Sequence, residues 1–165
     1  MARTTTIELH KEDMKFAAGH FTIFSATHRE NLHGHNFAVF VSLTGEVLAD
    51  GMLADYDIFK GAALKQCRAW NETFMLPGNS RHLHVEKDAR GDVLARFNGE
   101  ELRFLARDVT ILPAENVSLE ELARLFGEGL VGDGGSFRAN RISHVVVKIS
   151  SEPGQWCSWE WRDHG

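Results

Sequence analysis

The 165-residue chain has only two cysteines, Cys67 and Cys157, and their spacing offers neither a metal-ligand pair nor a redox pair. They read as reduced thiols of a cytoplasmic protein. Proline is scarce too, at three residues. No Pro/Ser-rich linker, repeat or low-complexity tract divides the chain, so a single domain over residues 1–165 is expected. No apolar stretch approaches the length of a membrane span, and the opening residues MARTTTIELHKEDMKF lack the apolar core of a signal peptide. Runs of Lys and Arg are missing and the net charge is -5, which argues against a nucleic-acid partner. With 43% hydrophobic and 25% charged residues, the composition is that of an ordinary globular protein.

What is there reads as strands, helix, strands, helix, strands. Strands are expected from about Thr4 to Leu9 and from Met14 to His20. The long Val- and Phe-rich stretch from 33 to 47 reads as a third. Residues 21–31, FTIFSATHREN, read as a loop or an irregular lid. Asp50-Gly51 marks a turn. From Tyr56 to Trp70 the stripe Phe59, Ala62, Ala63, Cys67 and Trp70 has helical spacing. Short strands follow near 82–87, 92–97 and 101–106, with FNGE as a hairpin turn between the last two. Ser118-x-x-Glu121 is a capping box before an amphipathic helix, which the glycines at 132, 134 and 135 end. RISHVVVKIS and QWCSWEW close the chain as two strands about the turn SEPG. The class is α+β, with antiparallel hairpins rather than repeated βαβ units.

Histidine placement carries the chemistry. In ENLHGHNF, His33 and His35 lie two apart, so on a strand they share a face, and Gly34 between them adds no bulk. If 14–20 pairs with 33–47, His20 can join them. Three histidines with an open fourth position suit a catalytic zinc, which can polarise a hydroxyl or carbonyl oxygen. The pair could equally be no more than a polar strand face. His10, His28, His82, His84, His144 and His164 read as surface or loop residues, and HLH at 82–84 has no third partner.

Taken together, FAAGHF, RENLHGHNF, TGEV and DGMLADYDIFK, followed by MLP, NVSLEELA and Pro153-Gly154-Gln155, resemble the 6-pyruvoyl-tetrahydropterin synthase family, which includes the bacterial 6-carboxy-tetrahydropterin synthases. The resemblance runs in order over nearly the whole chain. It implies the tunnelling fold (T-fold), an antiparallel sheet with two helices on one face. It also implies a homohexamer of two stacked trimeric barrels with sites at subunit interfaces, and a pterin ligand. It carries His20, His33 and His35 onto the family's zinc ligands.

The chain departs from the family at the catalytic groups. Typical members place a cysteine shortly before HGH and an Asp-His pair after the first helix. Here THRENL has no cysteine, and Trp70-Asn71-Glu72 stands where LDH is expected. Cys67, within the helix, does not match. In one branch of the family a glutamate three residues before HGH replaces the cysteine, and Glu30 holds that position. It would move the proton, with Glu72 as a second acid/base candidate; either could instead be a solvated loop carboxylate. The family's pterin-anchoring carboxylate also shifts: within KISSEPGQ, Glu152 does the work through a moved turn, or Ser150 and Ser151 occupy the place. Ser118 and Glu120 match the family's helix start near the pterin, and Ser118 reads equally as a helix cap.

In WCSWEW, Cys157, Trp159 and Trp161 share one face, and Trp156, Ser158 and Glu160 the other, compatible with core on one side and an oligomer interface on the other. The resemblance implies a divergent pterin-binding protein. If active, it would be a zinc-dependent carbon–oxygen or carbon–carbon lyase on a dihydropterin side chain, not a standard 6-pyruvoyl-tetrahydropterin synthase. The alternatives are a pterin-binding homologue without catalysis and a purely structural oligomer.

Overall fold

The computed structural model describes residues 3–164. In chain order its strands are β1 (Arg3–Leu9), β2 (Lys15–His20), β3 (Ile23–Ser25), β4 (His28–Arg29), β5 (His33–Val47), β6 (Thr73–Pro77), β7 (His84–Lys87), β8 (Val93–Phe97), β9 (Glu100–Phe104), β10 (Val109–Leu112), β11 (Ile142–Glu152) and β12 (Gln155–Arg162). The helices are α1 (Asp57–Trp70), α2 (Leu119–Val131) and the short α3 (Gly135–Ala139).

β5 organises the main sheet. Its 15 residues alternate, so Phe37, Val39, Val41 and Leu43 form one buried row. One edge of β5 pairs antiparallel first with β2 and then with β1, while the other edge pairs with β11. The sheet runs β10-β6-β2-β5-β11-β12, with β1 beside β5. α1 and α2 cover one face. Phe59, Ala63, Cys67 and Trp70 of α1, and Leu122, Ala123, Phe126 and Leu130 of α2, pack on the β5 row in one apolar core. Ser118 caps α2, its side chain accepting from the Glu121 amide at 3.4 Å. Gly127 lets α2 settle on Trp159: a Cβ there would lie 2.0 Å from the Trp159 ring. This α+β arrangement is the fold expected from the sequence.

Several elements were not expected. β6 and β10 join the sheet in parallel, β6 beside β2 and β10 beside β6. Residues 21–31 are not a bare loop, because β3 and β4 pair within them as a small hairpin. A short α3 begins at Gly135, the last of the glycines expected to end the second helix. Ala62 is exposed, since the stripe that reaches the core runs 59-63-67-70. Strands β7, β8 and β9 form a separate antiparallel sheet. Its inner face joins Phe21, Ile23 and Leu76 in a second apolar cluster beneath the β3–β4 hairpin.

Candidate functional site

At the end of the β2–β5 ladder both buried rows turn from apolar to imidazole. Phe16 and Ala18 of β2 are followed by His20, and Phe37 of β5 is preceded by His35 and His33. His20 lies opposite His33, and His35 opposite Ala18. The ring centroids are 4.5 Å apart for His20 and His33, 5.3 Å for His20 and His35, and 5.0 Å for His33 and His35. One potential ligand atom from each lies within 4.8 Å of the others. The intervening glycines pair with each other, Gly19 with Gly34, and a Cβ on Gly34 would lie 3.0 Å from the Ala18 carbonyl oxygen and 3.5 Å from the Gly19 Cα. Both strands therefore approach closely where the histidines converge.

The ring nitrogens are oriented from behind. His20 Nδ1 lies 3.0 Å from the Val117 carbonyl and His33 Nδ1 2.9 Å from the Asn31 carbonyl. A carbonyl only accepts, so each Nδ1 carries a proton, and in the neutral ring the lone pair is then on Nε2. His20 Nε2 is buried and has no hydrogen-bond partner among the described residues, a costly state for a polar atom unless something binds it. Nδ1 held by a backbone carbonyl with Nε2 free is how metal-ligating histidines are held. The residues thus fit a zinc ion. Burial, then the neighbouring His33 and His35, pull the His20 pKa below its ordinary 6.5 against the opposing Val117 bond and Glu30, which keeps the ring in its ligating neutral form.

Glu30 sits beside the triad. Its amide donates to the Thr22 carbonyl at 2.9 Å, and its Oε2 accepts from the Thr22 amide at 2.8 Å. That same oxygen is 3.9 Å from His33 Nε2. Partial burial pushes the Glu30 carboxyl up, but the two hydrogen bonds from Thr22 outweigh it and leave its pKa below the usual value. The carboxylate is therefore ionised and held.

His20, His33, His35 and Glu30 line a cleft of about 420 Å³ together with Ser118, Glu120, Ser151 and Glu152. A register shift in the β11–β12 ladder between Ile149 and Glu152 sets Glu152 opposite Gln155 at the rim. Ser150 lies outside the cleft lining: it is buried, its hydroxyl donating to the Glu152 carbonyl. Glu72 is also elsewhere. It is exposed, with φ of 59°, and lines a neighbouring surface cleft with Asn36, Thr73, Phe74 and one side of His35. Thr22 and Gln155 line the histidine cleft and escaped sequence reasoning, as did the Val117 carbonyl. Gln155 stood within the PGQ motif, whereas Thr22 and Val117 act on Glu30 and His20 through backbone atoms that leave no side-chain signature.

The remaining histidines lie away from the triad: His10 Nδ1 meets the Val39 carbonyl at 3.0 Å, His84 meets Glu86 at 3.2 Å and His144 meets Glu160 at 2.8 Å. No helix among the described residues is long and apolar enough to cross a membrane.

The family model for 6-pyruvoyl tetrahydropterin synthase matches residues 8–161. A Methanocaldococcus jannaschii protein assigned by name as a 6-carboxy-5,6,7,8-tetrahydropterin synthase is 24% identical over 143 residues, covering 86% of each chain. The solved 6-pyruvoyl tetrahydropterin synthase of Plasmodium falciparum is 25% identical with a TM-score of 0.90, over 97% of this chain and 99% of that one. A Plasmodium vivax 6-pyruvoyltetrahydropterin synthase variant, with a catalytic glutamate replaced by alanine, superposes with a TM-score of 0.91 at 24% identity, over 98% and 99%.

Proposed function

The chain belongs to the 6-pyruvoyl tetrahydropterin synthase family, and from that premise we propose that its histidine-lined cleft binds a pterin and performs a zinc-dependent lyase reaction on a dihydropterin side chain. The observation that carries this reading is the convergence of His20, His33 and His35, two of them with Nε2 left free, beside an ionised Glu30 in one cleft. Zinc held by the three Nε2-bearing rings would act as a Lewis acid toward an oxygen of the ligand's side chain.

This chain's residues supply the rest. Glu30, fixed by the Thr22 amide, takes a proton from the carbon beside that oxygen and returns it later. A glutamate is named as a catalytic residue in the Plasmodium vivax relative, and Glu30 is the glutamate standing next to the histidines here. Glu152 and Glu120 offer carboxylates, and Ser118, Ser151 and Gln155 polar groups, to the amino and ring N–H donors of a pterin. The bulge that brings Glu152 to the rim supports it over Ser150 as the pterin anchor. Glu72 faces a separate cleft, so a catalytic part for it would act from the far side of His35. The outer strands β10 and β12 end the sheet within one chain, consistent with assembly into a homohexamer. We place that hexamer in the cytoplasm.

The test is incubation of the zinc-loaded protein with dihydroneopterin triphosphate, followed by analysis of the pterin products and titration with pterins. A side-chain-cleaved or eliminated product supports the lyase. Tight pterin binding without product supports the second reading, a binding protein that has lost the chemistry; the missing Cys and Asp-His favour that outcome. Neither binding nor product would leave a structural oligomer.

A further inference from the structure

Arg29 precedes Glu30, and on extended backbone neighbouring side chains point to opposite sides. Glu30 turns into the histidine cleft, while Arg29 turns down into the second apolar cluster. There its guanidinium lies 5.0 Å from the Phe21 ring centroid and 5.7 Å from that of Phe97, so it contacts both the strand end leaving His20 and strand β8. Nη1 donates to the Glu30 carbonyl at 2.8 Å, and Nη2 to Glu100 at 3.1 Å at the start of β9. The Arg29 side chain is 15% exposed against 66% for Glu100. Its Nε is buried without a hydrogen-bond partner among the described residues.

An apolar side chain would fill this position without leaving a buried donor unpaired. A cation accepted at that cost argues for something only a forked donor supplies. Here the fork ties the Glu30 backbone to the β7–β9 sheet. We propose that Arg29 is a positioning residue that fixes the Glu30 carboxylate against the histidine triad, making the β7–β9 sheet the back support of the site. The proposal rests on the reading of Glu30 as the group that moves the proton.

The Thr22 amide donates to the Glu30 carboxylate, so its hydrogen exchange reports directly where that carboxylate sits. The test compares the full-length zinc-loaded protein with Arg29→Lys, which keeps the charge but not the fork. The milder Glu100→Gln removes only the outer anchor and tolerates any folding defect of the first variant. In Arg29→Lys, exchange at Thr22 should rise about tenfold, while the Val39 amide, bonded to the Met14 carbonyl, should stay protected. With dihydroneopterin triphosphate, kcat should fall about tenfold or more with KM nearly unchanged and zinc retained; Glu100→Gln should show both effects more weakly. Unchanged exchange at Thr22 in both variants overturns the proposal. So does faster exchange with undiminished kcat, or a change in KM alone. If the wild-type protein itself makes no product, the reading of Glu30 falls, and exchange at Thr22 alone then decides whether Arg29 holds the segment.

Discussion

His20 and His33 face each other across the β2–β5 ladder, 4.5 Å between ring centroids, each with Nδ1 given to a backbone carbonyl from a different part of the chain. The Val117 carbonyl that holds His20 lies immediately before the Ser118 cap of α2, so the start of that helix and the ligand row are locked together. His20→Ala should abolish stoichiometric zinc binding, as should the double variant His33→Ala/His35→Ala. Wild-type protein should carry about one zinc per chain, since three histidines make one catalytic-type site. Elemental mass spectrometry on freshly purified protein reads this directly. Zinc retained in the double variant would sink the assignment.

Glu30→Gln keeps the size of the side chain and removes its basicity. Turnover should fall by about 10²–10⁴, the usual worth of a positioned general base, while pterin affinity measured by titration changes little. Normal turnover in this variant would remove Glu30 from the mechanism.

Acid should act on the metal-free protein through His20. Burial holds its folded-state pKa below 6.5, so the unfolded chain takes up the proton first. The associated stability is present above about pH 6.5 and is lost as the pH falls through the folded-state value. Thermal midpoints of chelator-treated protein should therefore drop on acidification over this window, and His20→Asn should flatten that part of the profile. Zinc should be released over the same range, because protons compete for the same nitrogens.

Gly127→Ala should destabilise the protein by about 1–3 kcal/mol, the usual penalty for overpacking, because the added Cβ would lie 2.0 Å from the Trp159 ring. Thermal denaturation checks it. Trp159→Leu, which opens space at the same contact, should recover part of the loss in the double variant, and strict additivity would show that the two residues do not share the contact.

The long elements were legible in the sequence, and so were the short strands β7, β8 and β9, the last two marked by the FNGE turn between them; β6, β10 and the β3–β4 hairpin were not. β5 begins and ends where the Val- and Phe-rich run does, and α2 starts at its capping box. The alternation in WCSWEW placed Cys157, Trp159 and Trp161 together, and these pack on the main core while Trp156 stays exposed. By contrast β6 and β10 span five and four residues with no hairpin turn signal joining them to a neighbour; without that signal, runs so short carry no periodicity that separates strand from loop. The β3–β4 hairpin is set by its packing on the second apolar cluster, which only the folded chain assembles. For the site, the same-face spacing of His33 and His35 could be read directly, and the pairing of 14–20 with 33–47 that brings in His20 is present. The separation of Glu72 from the cleft could not be read, because it depends on the left-handed turn at Glu72 after α1. Nor could the burial of Ser150, which follows from the bulge in β11.

On β5 the apolar row and the histidine row are one row. A slip of one residue in its pairing would turn Phe37, Val39, Val41 and Leu43 to the wrong side together with His33 and His35. Folding therefore proofreads the site: the register that hides the apolar side chains is also the one that assembles the imidazoles. A chain that has found its core has already found its chemistry, with no separate step in which a correctly packed molecule could carry misplaced ligands.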